Sequence, residues 1–151
     1  MIRWIAAFLL LATPCGAADL TVLSAGAIHA AATAMAPEFE VTAGRNVFLR
    51  NDTAGGLVRR IEGGETFDVV LMSPAGLNPL AKAGKIAAGP GVPLAKVGIG
   101  AGIKAGSPAP DIGTVAAFKA TMLATRAVAY IDPASGGTSG IYWAVRPLGS
   151  C

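Results

Sequence analysis

The stretch Asp132 to Tyr142, DPASGGTSGIY, follows the apolar run Ala127-Val128-Ala129-Tyr130-Ile131 and leads into another, Ile141-Tyr142-Trp143-Ala144-Val145. A strand, a glycine-rich bend and a helix start, in that order, make the βα corner of an α/β fold. Backbone amides at a helix N-terminus lack intrahelical partners, and the helix dipole adds partial positive charge there. With Thr138 and Ser139 opening the helix, this corner reads as an anion cradle.

Upstream, the same alternation recurs. Leu20 to Leu23 reads as a strand, followed by a helix over Ala27 to Ala43 that Gly44 ends. Pro37 inside that helix predicts a kink or break, because proline lacks an amide and clashes one turn back. Asn46 to Arg50 is a second strand, and a short helix over Gly56 to Glu62 places Leu57 and Ile61 on one face before Gly63-Gly64. Phe67 to Met72 is nearly continuous in apolar residues, as a strand covered on both faces requires. Ser73-Pro74 then opens a helix that stops at Gly84. This β-α-β-α-β-α order predicts a parallel sheet with helices on its faces. Val97 to Ile103, VGIGAGI, reads as a thin glycine-lined strand passing between two lobes. Thr114 caps a helix through Val115, Phe118 and Leu123.

Open α/β sheets bind ligands beyond the carboxyl ends of their strands. Four such ends carry small or hydroxyl residues: Ser24-Ala25-Gly26-Ala27, Thr53-Ala54-Gly55, Ser73-Pro74 and Gly136-Gly137-Thr138-Ser139. Any one of them could be a simple helix cap. Four at the same end of successive strands point to a ligand site built from Gly26, Ala27, Thr53, Ala54, Ser73, Gly137, Thr138 and Ser139. Of the adjacent Arg59 and Arg60, at least one faces solvent; either could neutralise an anion, but a solvated face is the better-fitting role for the pair.

Composition narrows the chemistry. The 151 residues carry a net charge of +3 with no Lys/Arg run, so a nucleic-acid footprint is lacking. One histidine, His29, and two cysteines, Cys15 and Cys151, are too few for a familiar zinc or redox site, so neither metal nor cofactor is expected. Ser139 lies in Gly137-Thr138-Ser139-Gly140, which misses the G-x-S-x-G nucleophile elbow by one residue. A secreted serine hydrolase using Ser139 or Ser135 would have to recruit His29. That is the rival reading; the leading one is not an enzyme. At the N-terminus, Arg3, the apolar run Trp4 to Ala12 and Gly16-Ala17-Ala18 have the order of an export signal cleaved near Ala18. Lipidation at Cys15 is the less fitting alternative, since Pro14 precedes it.

Three stretches, LTVLSAGAI, GGLVRRIEGGETFDVVLMSPAGL and VAYIDPASGGTSGIY, together with PDIGTVAAFKATML, resemble the molybdate-binding-like periplasmic solute-binding proteins of ABC importers. The resemblance implies a type-2 periplasmic-binding-protein fold. It divides the chain into a signal peptide (1–18), a parallel-sheet lobe one (19–95), a crossover (96–104) and the beginning of a second α/β lobe (105–151). It also implies a truncated protein, or even a non-functional fragment, because most of lobe two and its return strand would lie past Cys151. The implied partners are a small anionic solute and an ABC permease in the inner membrane, with the protein a periplasmic monomer.

Where the family's molybdate binders use a serine at the start of the first helix, this chain has Ala27. A second serine aligns with Ala54, next to Thr53. Each lost hydrogen bond to a charged group removes about 1.5–3 kcal/mol, so a small oxyanion or carboxylate is expected in place of molybdate itself. Roughly three surviving bonds would supply about 5–9 kcal/mol against an association cost of about 4–15 kcal/mol, which predicts weak binding or none by the chain as written.

Overall fold

The computed structural model describes residues 18–89 and 91–145. Its elements alternate as β1 (Leu20–Ala25), α1 (Gly26–Ala43), β2 (Val47–Asp52), α2 (Ala54–Glu62), β3 (Val69–Leu71) and α3 (Pro74–Lys82). Two further helices follow, α4 (Val115–Ala124) and α5 (Thr138–Val145), the latter preceded by a 3₁₀ turn at Pro133–Ser135. The sheet is parallel in the order β2-β1-β3, with Leu20 opposite Val47 and Val22 opposite Val69. This mixed α/β arrangement is the parallel sheet with flanking helices that the order of elements in the sequence predicts.

Alternation along the central strand sorts the helices onto two faces. Leu23 and Ala25 join Ala54, Leu57, Ile61 and Leu80 in one buried cluster, so α2 and α3 cover that face. Leu23, Leu57 and Leu80 are wholly inaccessible. Val22 and Ser24 point the other way, where α1 packs on β1 and β2. Buried Ser24 finds its partner there, its Oγ lying 2.8 Å from Nδ1 of His29. Asp68 clamps the start of β3 to β1, its carboxylate accepting from the Thr21 amide at 2.8 Å while its own amide donates to the Thr21 carbonyl at 3.0 Å.

Three sequence expectations are corrected. Helix α1 runs unbroken through Pro37. It buries no residue, and exposed Thr33, whose carbonyl loses its amide partner to the proline, can be served by water. Val97 to Ile103 is not a strand, and Val97, Ile99 and Ile103 are all exposed. A strand persists only with a ladder partner, and alternate glycines give it no side chains to pack. Ala127 to Ile131 is likewise irregular. Its end is pressed against α5, with the Ile131 carbonyl occupying the place of a Cβ on Gly140. Trp143 gathers this part of the chain, meeting Phe118 of α4 edge-on at 5.9 Å and Tyr130 at 6.2 Å. The proposed export signal lies outside the described residues except for Ala18, as does Cys151. Among the described residues no helix is long and apolar enough to cross a membrane.

An ion-pair network ties α2 to the sheet. Glu65 accepts from Arg60 at 2.6 Å and from Arg50 of β2 at 3.1 Å, and Arg60 also reaches Asp52 at 3.5 Å. Hydrogen bonding from Arg60, helped by Arg50, holds the Glu65 carboxyl below the usual carboxylate range. A depressed carboxyl stabilises the fold above its unfolded pKa, about 4.3 for Glu, and that contribution is lost as pH falls through the folded value. Urea midpoints measured across acid pH are therefore expected to fall less steeply for Glu65→Gln than for the unmodified chain. In the core, Leu57→Ala is expected to cost about 2–5 kcal/mol by the same measurement. Val41→Ala, on the exposed side of α1, should stay within about 0.5 kcal/mol.

Candidate functional site

Strands β1, β2 and β3 run parallel, so the helices that follow them all begin at one rim of the sheet. Thr53 ends β2 and caps α2, its Oγ1 accepting from the Gly56 amide at 3.0 Å. The same hydroxyl donates to the Ser135 carbonyl at 2.6 Å, and the Gly55 amide donates to the Gly136 carbonyl at 3.1 Å. These two bonds bring the Pro133–Ser135 turn onto the start of α2 from 82 residues away.

The approach is closer than side chains would permit. A Cβ on Gly55 would lie 2.6 Å from the Gly136 Cα, and one on Gly136 would overlap the Gly55 backbone. Gly136 also holds a left-handed φ of 76°, which Asp132 helps to set by accepting from the Ala134 amide at 2.9 Å.

Between α2, α3 and the start of α5 lies a cavity of about 370 Å³. Helix α2 contributes Ala54, Gly55, Val58 and Arg59 to its lining. From the α3 side come Ser73, Ala75, Gly76 and Pro79, and the third wall is Gly136, Thr138 and Ile141. On α3, Ser73, Gly76 and Pro79 are spaced three apart and share one helical face. Gly76 permits close packing there, since a Cβ would meet the Met72 sulfur at 2.6 Å.

The hydroxyls at this rim are used differently. Thr53 is spent on the cap and on Ser135. The Ser73 Oγ, in contrast, is buried, makes no capping bond and has no hydrogen-bond partner among the described residues. A buried hydroxyl without a partner carries a desolvation cost, so it is a position where an incoming polar group gains a bond. The two adjacent arginines also divide. Arg60 is committed to Glu65 and Asp52, whereas Arg59 lines the cavity and makes no ion pair among the described residues.

Of the residues singled out by sequence, Ala54, Ser73 and Thr138 line this cavity together. Gly26, Ala27, Thr53, Gly137 and Ser139 do not. Gly26 and Ala27 stand exposed at the start of α1, and buried Gly137 packs against the Ile131 side chain. The sequence reading passed over Val58, Gly76, Pro79 and Ile141 and gave Arg59 no greater part than Arg60. The three-residue spacing of Ser73, Gly76 and Pro79 was a usable signal. The candidate nucleophiles are also placed: the Ser135 hydroxyl donates to the Asp132 carbonyl at 2.7 Å, and the imidazole of His29 is joined to Ser24 and to neither candidate serine. Among the described residues no group of three His, Cys, Asp or Glu side chains could hold a metal ion.

The chain belongs to the family of bacterial extracellular solute-binding proteins, which matches residues 20–145. It is similar to a Pseudomonas sp protein named aconitate isomerase, with 36% identity over 139 residues. That alignment takes in 86% of this chain and 53% of the relative, so the chain spans about half the relative's length.

The paired glycines yield a sharp expectation. In Gly136→Ala the added methyl meets the Gly55 backbone at a φ that favours glycine, so the Gly55 amide should lose its hydrogen-exchange protection. Stability should fall by more than about 1 kcal/mol. Gly98→Ala, with open space around it, should leave both measurements unchanged.

Proposed function

We propose that this member of the solute-binding family is the exported receptor of an ABC importer, capturing a small anion at the rim where α2, α3 and α5 begin. In this reading residues 19–95 form the first lobe, 96–104 the crossing segment and 105–151 the opening of the second lobe. Residues 1–18 direct export to the periplasm. Closure of the lobes on the solute, followed by docking of the monomer on an inner-membrane permease, is the mode of action; no bond is made or broken.

The observation carrying this reading is the cavity itself, which holds a buried hydroxyl, Ser73, and a cation, Arg59, the first without a hydrogen-bond partner and the second without an ion pair among the described residues. Both groups favour negative charge, one by donating a hydrogen bond and the other by Coulomb attraction. The relative's name supports an anion as well, since aconitate is a tricarboxylate.

A second reading, isomerisation of such an acid, is favoured by that name and by the Ser24–His29 pair at the β1 end of the same rim. Turnover of aconitate by the purified protein, abolished in His29→Gln, would select it over simple binding.

The binding reading is tested by calorimetric titration and thermal melting against molybdate, sulfate, phosphate and small carboxylates. At least one is expected to bind saturably and raise the melting temperature, and Ser73→Ala is expected to weaken that ligand by about 1.5–3 kcal/mol, roughly ten- to a hundredfold. Failure of every anion to bind would refute the proposal.

A further inference from the structure

Resting on the anion reading of this cavity, the lining narrows the class of ligand. A tetrahedral oxyanion presents oxygen on every side, and a desolvated one needs hydrogen-bond donors all around it. Glycine-rich corners can supply such donors from the backbone, as the sequence suggested. Here the glycine amides are already spent. The Gly55 amide donates to the Gly136 carbonyl, Gly76 to Ser73 at 2.9 Å and Gly136 to Pro133 at 2.9 Å. The Ile141 amide, on the same wall, donates to Gly137 at 3.0 Å.

What remains polar among the lining side chains is Arg59, Ser73 and Thr138. The rest of the surface is hydrocarbon from Ala54, Val58, Ala75, Pro79 and Ile141, together with glycine backbone. At about 370 Å³ the cavity falls within the roughly 300–1,000 Å³ of small-molecule sites, ample for a ligand with a carbon skeleton. An oxyanion of five heavy atoms would leave most of it filled with water. Any of its oxygens turned to Val58, Pro79 or Ile141 would lose hydration without replacement.

We infer that the cavity is selective for a carboxylate carried on a short hydrocarbon body over a tetrahedral oxyanion, with Arg59 as the residue that recognises the charge. The Arg59 guanidinium offers the planar fork that matches a carboxylate in two parallel bonds. Ser73 supplies a further donor, and Val58, Pro79 and Ile141 receive the ligand's carbon atoms.

Calorimetric titration of the 151-residue protein with trans-aconitate and, separately, with molybdate and sulfate tests the inference. Arg59→Gln and Ile141→Ser serve as variants, because both positions are exposed and folding can be verified by circular dichroism. Tighter binding of trans-aconitate than of either oxyanion is expected, with a loss of at least tenfold in Arg59→Gln and a severalfold loss in Ile141→Ser. Tighter binding of molybdate or sulfate would overturn the inference and leave the anion reading standing. Binding of trans-aconitate unaffected by Arg59→Gln would overturn the role given to that residue. No binding of any of the three probes would overturn this ligand class, whereas the anion reading fails only if the wider panel is silent as well.

Discussion

Everything at the candidate site depends on two backbones meeting without side chains between them, Gly55 at the start of α2 and Gly136 after the 3₁₀ turn. Their hydrogen bond, with that from Thr53 to the Ser135 carbonyl, fixes the third wall of the cavity against the first two. Without it Thr138 and Ile141 would have no set position relative to Ser73 and Arg59. The contact also consumes the Gly55 amide, one of the donors that a glycine-rich corner offers. The side chains left to give the cavity polar character are Arg59, Ser73 and Thr138.

The contrast between Thr53 and Ser73 has the same origin. Both are N-cap residues in extended conformation at the ends of parallel strands. Thr53 follows the common capping pattern, bonding to the third amide of its helix. At Ser73 the carbonyl accepts from both Gly76 and Leu77, and the hydroxyl bonds to neither. Proline at the first helical position removes one orphan amide and so reduces the need for a cap. The serine is thereby left over for other use.

Much of the sheet and of the helices that cover it was legible in the sequence because the signals are local. Leu57 and Ile61 set the buried face of α2, and Gly44 and Gly84 ended their helices with left-handed φ; the apolar run Phe67 to Met72 marked β3, but as an edge strand with Val69 exposed and not as one covered on both faces. The strands at Val97–Ile103 and Ala127–Ile131 were misread because apolar composition cannot say whether a ladder partner exists. The donors of the glycine corner were overcounted for a related reason. Which amides remain open depends on a contact between residues 81 positions apart, and no local pattern records it. Arg59 and Arg60 were indistinguishable for want of knowing that Glu65 folds back onto one of them.

That separation in sequence has a kinetic corollary. The parallel sheet and its Leu23–Leu57–Leu80 core can assemble within the first 70 or so described residues, whereas the Thr53–Ser135 bond must close a span of 82. Closing it costs about 4 kcal/mol beyond a constant, from the logarithmic dependence on loop length. Such distant pairings form late. In synthesis the sheet's residues therefore precede those of the cavity's third wall, and the cavity is enclosed on that side only once the distal turn has been made and has docked.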